Sequence, residues 1–264
     1  MDHHVLFRIP DSGRNRTATL PVKEDRKIAV LGTGPGSGVS LTAGLLVSWL
    51  RQHVPGEAVT LIEMGSSYFY EAYGVEKRFM HRDFYRFYEL MAQKSSIKGL
   101  SNMEEGINWV LRCPEDSSPG KNGSIAAAAD MLRLVYNIAG TLRIFDCSGV
   151  PIPALWEVLP EMDAVICVVD PLPSKLIPAA SEIERLRLEC PRGIWVINKM
   201  NSGVHRGELK RFLGGVDWVE IPSLAPEHLY RAQYNCVLPY TISPVRQQTD
   251  RLLEALWRRI CSME

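Results

Sequence analysis

Lys27-Ile28-Ala29-Val30-Leu31-Gly32-Thr33-Gly34-Pro35-Gly36-Ser37-Gly38-Val39-Ser40-Leu41-Thr42-Ala43-Gly44-Leu45-Leu46 is the stretch on which the fold turns. Residues 28–31 form a short apolar run, glycines follow at once, and apolar residues then recur at helical spacing over 39–53. Strand, glycine loop and helix in that order make an anion site, because loop N–H groups and the helix N-terminus converge on one point. Glycine suits such a loop because the backbone must take positive φ and approach a ligand closely. The dinucleotide spacing G-x-G-x-x-G fails. Its third glycine falls on Ser37 when counted from Gly32, and on Val39 when counted from Gly34.

Outward from this loop the chain alternates strand-like and helix-like segments, the pattern of a parallel sheet with crossover helices. Strands are expected at 59–62, 106–111, 142–145, 164–169, 193–197 and 218–221. Helices are expected at 125–137, 175–189, 208–213 and 249–260. The runs 164–169 and 193–197 are apolar throughout, as strands buried on both faces require. The fold class is therefore α/β, a doubly wound and mostly parallel sheet with helices on both faces and the glycine loop at its carboxyl edge.

Residues 1–26 read as a polar leader whose apolar run 5–9 can add an edge strand, and His3 and His4 read as part of a solvated tail. Residues 27–264 read as one domain with a helical insertion at about 66–105. Thirty basic residues balance thirty acidic ones among 264, so no long-range field favours nucleic acid or an anionic membrane. No apolar run is long enough to span a bilayer, and no apolar segment near the start resembles a secretory signal. Cysteines 113, 147, 167, 190, 236 and 261 are spread out without a C-x-x-C pair, which suits reduced thiols in a cytoplasmic protein.

The P-loop frame G-x-x-x-x-G-K-[ST] fits the loop imperfectly. Gly38 takes the last glycine, Ser40 the hydroxyl that holds Mg²⁺, Thr33 stands for the first glycine and Val39 for the lysine. In this form the loop resembles the deviant Walker A motif of MinD/ParA-like ATPases, K-G-G-x-G-K-[ST] before a T-x-A helix. Gly36, Gly38, Ser40 and Ala43 match that pattern. Gly34 stands for the family's additional lysine, Pro35 for a glycine and Val39 for the P-loop lysine, so both cationic positions are empty of charge.

Later segments follow the same resemblance in order. Leu61-Ile62-Glu63-Met64-Gly65 falls where the family has D-x-D, with a carboxylate kept at Glu63 and lost at Gly65. Phe145-Asp146-Cys147-Ser148-Gly149 is similar to the strand-terminal D-x-x-G, which implies Mg²⁺ binding through water at Asp146 and γ-phosphate sensing at Gly149. Asn198 falls where family members contact adenine, and Pro222 where a proline backs the base. The resemblance thus implies a site for ATP or ADP with Mg²⁺ built from Gly34, Gly36, Ser37, Gly38, Val39, Ser40, Asp146, Gly149, Asn198 and Pro222, with Ser40 and Asp146 at the metal.

Without those lysines and the carboxylate at 65, the resemblance implies a localisation or assembly scaffold with little or no hydrolysis. TadZ/CpaE-like proteins of pilus and secretion machinery are the nearest kind. An ATPase using a substitute cation, Lys199 or a partner's arginine, and a P-loop ligase relative are the alternatives. The aromatic and basic residues of 66–88 suit core packing, a homodimer or protein contact, or, least, single-stranded nucleic acid; no nucleic-acid partner is expected. The terminal stripe Leu252, Leu253, Leu256, Trp257 and Ile260 suits the last helix of the sheet, with peripheral membrane contact as the less favoured reading.

Overall fold

The computed structural model describes residues 25–114 and 128–263. The run 5–9, His3, His4 and the first residues of the helix expected from 125 lie outside the described residues. Eight strands form one sheet: β1 (Arg26–Gly32), β2 (Val59–Glu63), β3 (Met103–Glu104), β4 (Ile107–Val110), β5 (Leu142–Asp146), β6 (Ala164–Val169), β7 (Ile194–Met200) and β8 (Trp218–Pro222). Their spatial order is β3-β4-β2-β5-β1-β6-β7-β8. Every pairing is parallel except that of β3 with β4.

In β1, side chains alternate between two cores. Ile28 and Val30 face the layer that holds α1 (Val39–His53) and α11 (Ser243–Cys261). Ala29 and Leu31 face the layer of α5 (Ala128–Asn137), α8 (Ala180–Glu189) and α9 (Arg206–Phe212). The sheet is therefore covered on both faces, and β6 accordingly carries only apolar, buried residues from Ala164 to Val169. The expected runs 164–169 and 193–197 are β6 and β7, and each has a strand on either side.

Besides α6 (Ile152–Leu155) and α10 (Pro226–Tyr234), helices that the sequence reading does not place, three segments differ from it. The helix expected over 175–189 is two helices, α7 (Pro173–Leu176) and α8, because Pro178 lies between them and cannot continue an α-helical ladder. The last helix begins at Ser243, six residues before the expected start at 249, with Pro244 in its first turn where a missing N–H costs nothing. Between β2 and β4 the chain forms three short helices, α2 (Phe69–Ala72), α3 (Val75–Arg78) and α4 (Phe87–Ala92), and then the antiparallel strand β3. The aromatics of that segment turn mostly inward: Phe69, Tyr73, Phe79 and Phe87 are buried, and Tyr73 stacks on Trp109 with centroids 4.0 Å apart. Packing accounts for them, and little of that segment's aromatic surface is left for a partner.

The C-terminal stripe is likewise interior. Val245, Thr249, Leu253, Leu256, Trp257 and Ile260 are all buried in α11, and Asp250 beside them accepts hydrogen bonds from Trp49 Nε1 (3.1 Å) and Tyr240 OH (2.5 Å). Among the described residues no helix is long and apolar enough to cross a membrane. Trp257→Ala should lower stability by about 3–5 kcal/mol, read as a lower urea midpoint at unchanged m-value. A chain ending at Thr249 should lose cooperative unfolding, because four of those core side chains leave together. A truncated chain that melts like the full one would return α11 to the membrane reading.

Candidate functional site

The glycine loop leaves the carboxyl end of β1 between β5 and β6, where the strand order diverges to left and right, the position at which open α/β sheets hold ligands. Gly36 (φ 75°) and Gly38 (φ 101°) take left-handed backbone conformations. A Cβ at Gly38 would collide with the Asn198 amide, so glycine is required there for space as well as for conformation. Gly34, Pro35 and Gly36 are exposed at the rim. Among the described residues, the N–H groups of Gly38, Val39 and Ser40 have no protein acceptor, as expected of a loop running into a helix N-terminus.

Two residues at the end of β7 hold the loop from outside. Asn198 Nδ2 donates to Ser37 O at 2.9 Å, and Lys199 Nζ donates to Gly36 O at 2.8 Å and to Asp170 at 2.6 Å. Asp170, at the end of β6, also accepts the Leu172 N–H at 3.1 Å. The sequence reading put Asn198 at the base; here its Nδ2 is committed to the loop's own backbone, and its Oδ1 is buried without a partner. Pro222 ends β8 opposite Met200 and is half-buried. A cavity of about 550 Å³ is lined by Asp170 and Lys199 together with Leu172, Val204 and Phe212. Asn198 and Pro222 are not among the residues that line it.

On the other side of the loop stand two buried acids, Glu63 and Asp146, paired in register across β2 and β5. The Ser148 N–H donates to Asp146 Oδ1 at 2.8 Å, Ser40 Oγ lies 3.2 Å from Ser148 Oγ, and Asp146 Oδ2 is buried with no donor in hydrogen-bond geometry. Burial raises the Asp146 carboxyl, while hydrogen bonds from Ser40 and Ser148 oppose the shift. Burial pushes Glu63 up to about 8, helped by the neighbouring Asp146 and opposed by the N–H groups of Phe69, Tyr68 and Arg112. Those N–H groups show what Glu63 does: it accepts from Tyr68 and Phe69 at 2.6 Å each and from Arg112 at 3.0 Å, tying the start of α2 to the end of β4.

Gly65 and Val39 are the informative departures. Beyond β2 and β5 the chains stay joined, Met64 N–H donating to Asp146 O and Ser66 N–H to Ser148 O, both at 2.8 Å. A Cβ at Gly65 would run into the Ser148 carbonyl and come within 2.7 Å of Val150 N, so no side chain fits. Val39 is buried in the apolar core on the α1 face, whereas Gly34 has no heavy atom within 4 Å of a would-be Cβ. Gly149 (φ 73°) packs against the Ser66 side chain, whose Oγ a Cβ there would meet.

The loop glycines, Ser37, Val39, Ser40, Asp146 and Asn198 thus share one sheet edge, with Gly149 beside Ser66 and Pro222 farther out. Sequence reading missed Ser148 and Asp170. Asp170 carried the same signal as Asp146, a carboxylate at the end of a buried strand. All six cysteines are free, with Cys113, Cys147 and Cys167 buried, and burial raises the Cys147 and Cys167 thiols. Among the described residues no group of His, Cys, Asp and Glu is arranged to hold a metal unaided.

This sheet order, with a glycine loop at its switch point, is the fold of the MinD/ParA-like P-loop proteins. A plasmid partition protein of Borrelia burgdorferi bound to AMPPNP is similar over 89% of this chain and 100% of its own, at 14% identity and TM-score 0.67. A ParA family ATPase of Chlorobium tepidum matches 88% of this chain and 97% of its own at 13% identity and TM-score 0.64. Septum site-determining protein MinD of Pyrococcus horikoshii, in complex with Mg-ADP, matches 88% and 95% at 15% identity and TM-score 0.63. No protein-family model and no curated protein matches the sequence.

Two outcomes follow from the packing. Gly65→Asp should destabilise by about 2 kcal/mol or more through backbone collision, whereas Gly34→Lys should stay within about 0.5 kcal/mol of the parent; thermal melts separate them. Glu63 is raised in the folded chain above its ordinary value of 4.5, so it favours folding below that value and loses the contribution as pH rises through about 8. In Mg²⁺-free buffer, stability should fall between pH 5 and 8 by at most about 1.4 kcal/mol per unit, and Glu63→Gln should flatten that slope. A parent slope equal to that of Glu63→Gln would show that Glu63 is ionised throughout.

Proposed function

We propose that this chain is an atypical MinD/ParA-like protein that binds ATP or ADP with Mg²⁺ at its glycine loop and hydrolyses it slowly or not at all. It would serve as a localisation or assembly scaffold, TadZ/CpaE-like in kind, for pilus, secretion or cell-surface machinery. The observation that carries the reading is Gly65: the place of the missing carboxylate is closed by backbone, so the departure from the hydrolytic pattern is built into the packing. Val39 points the same way, because an apolar side chain in the core replaces a phosphate-binding ammonium.

The residues present fit a Mg²⁺-nucleotide. Unsatisfied N–H groups at a helix N-terminus suit phosphates, and Asp146 Oδ2, buried without a geometric partner near Ser40, suits a hydrated cation. Bound Mg²⁺ would offset the negative charge that Asp146 and the phosphates bring together. Ser40 and Asp146 would hold the metal, Gly36, Ser37 and Gly38 would shape the phosphate cradle, and Gly149 would lie beside its outer end. Two similar structures contain AMPPNP and Mg-ADP, which supports the ligand class.

One similar structure is a MinC:MinD cell division complex from Aquifex aeolicus, which supports a protein partner or a homodimer for this chain too. Within 66–88 the contact would use Met80 and Tyr85, the exposed remainder of a mostly buried set. Calorimetry with ATP and ADP, with and without Mg²⁺, tests the binding. Ser40→Ala and Asp146→Asn should each abolish the Mg²⁺-dependent part of the affinity. Turnover of ATP at about 0.01–1 per second, on the low side of enzyme norms, would sink the non-hydrolysing reading. No binding of either nucleotide would sink the site.

A further inference from the structure

We propose that Lys199 supplies the positive charge that holds the ligand's phosphates at the glycine loop, in place of lysines at positions 34 and 39. The inference rests on the nucleotide reading above and names the residue that makes it workable. The β7–β8 ladder breaks register between Ile197 and Met200, and within that break Lys199 takes φ 58°, a left-handed conformation uncommon for a residue with a Cβ. Bulges re-aim side chains, and backbone strain of this kind persists where the surrounding structure enforces it. Here the departure turns Lys199 out of a strand whose other residues are all buried and brings its ammonium onto the loop.

Its setting suits a ligand group better than a simple strut. An ammonium has three donors, and its hydrogen bonds to Gly36 O and Asp170 use two of them. The Lys199 side chain is 48% exposed, so the ammonium is open to a ligand, while its counter-ion Asp170 is 8% exposed and fixed in place. Asn198 and Lys199 hold two consecutive loop carbonyls, Ser37 O and Gly36 O. Among the described residues no other lysine or arginine has a hydrogen bond to residues 33–40.

The test is calorimetric titration of the full chain with ADP, with adenosine, and with ADP at several salt concentrations, alongside Lys199→Gln, Lys199→Arg and Asp170→Asn. Glutamine can still donate to Gly36 O, so Lys199→Gln removes charge while leaving the loop a donor. It should weaken ADP binding by about tenfold to a hundredfold, the range of one charge-assisted contact, and flatten its salt dependence. Adenosine binding should barely change, Lys199→Arg should retain most ADP affinity, and Asp170→Asn should bind ADP at least as tightly as the parent. If Lys199→Gln leaves ADP affinity unchanged, or weakens adenosine as much as ADP, the proposal fails. If Asp170→Asn loses as much ADP affinity as Lys199→Gln, the pair is a structural latch and the proposal fails as well. A parent chain that binds neither ADP nor ATP removes the nucleotide reading itself, and the inference with it.

Discussion

A parallel strand covered on both faces has little room for polar chemistry except near where it ends, and that constraint organises this molecule. Glu63, Asp146, Asp170 and Asn198 are buried polar residues at or near the carboxyl ends of β2, β5, β6 and β7, all on the edge where the glycine loop leaves β1. Each must be satisfied locally, since a buried polar group without a partner costs on the order of 1–3 kcal/mol. Glu63 meets that demand with backbone N–H groups, Asp170 with Lys199 and the Leu172 N–H, and Asn198 with the Ser37 carbonyl. What is left over, Asp146 Oδ2 and Asn198 Oδ1, is buried without a hydrogen-bond partner on that same edge.

The same constraint decides what sequence could reveal. Continuous apolar runs at 164–169 and 193–197 have few alternatives to central strands, and the alternation of Ile28, Ala29, Val30 and Leu31 between two cores follows from covering both faces. The order of loop, Asp146, Asn198 and Pro222 was legible because each follows a strand. The segment between β2 and β4 was harder, since its helices are four to six residues long and its aromatics serve tertiary packing instead of a periodic face. The role of Gly65 was hidden because a missing carboxylate and a sterically closed position read alike in one dimension. Lys199 could be named as a cation, but its aim depends on a register break that no residue pattern announces.

The energetics of the site turn on a difference between dipoles and charges. Backbone N–H groups and a helix N-terminus contribute roughly 0.3–1 kcal/mol towards an anion at an exposed site, and up to about 2 in a partly buried one. A hydrogen bond to a charged group contributes about 1.5–3 kcal/mol. A loop without lysines at 34 and 39 therefore retains the geometry of a phosphate site while having less strength, and whichever of the two buried acids is ionised opposes an anion further. A divalent cation or an ammonium has to offset that field for phosphate binding to be favourable.

The substitutions that separate this loop from the hydrolytic pattern are unequal in physical terms. Gly34 lies in open space, so the charge absent there could be regained without disturbing the fold. Val39 contributes to the apolar layer over β1, so an ammonium at that position would have to leave the core or be desolvated in it. Gly65 admits no side chain while the backbone bonds beyond β2 and β5 persist, and those bonds also place Ser148 near Ser40 and Asp146. Restoring a carboxylate at 65 would therefore disturb the residues that fit Mg²⁺. The contact that keeps Ser148 near Ser40 and Asp146 is thus the one that excludes a side chain at 65.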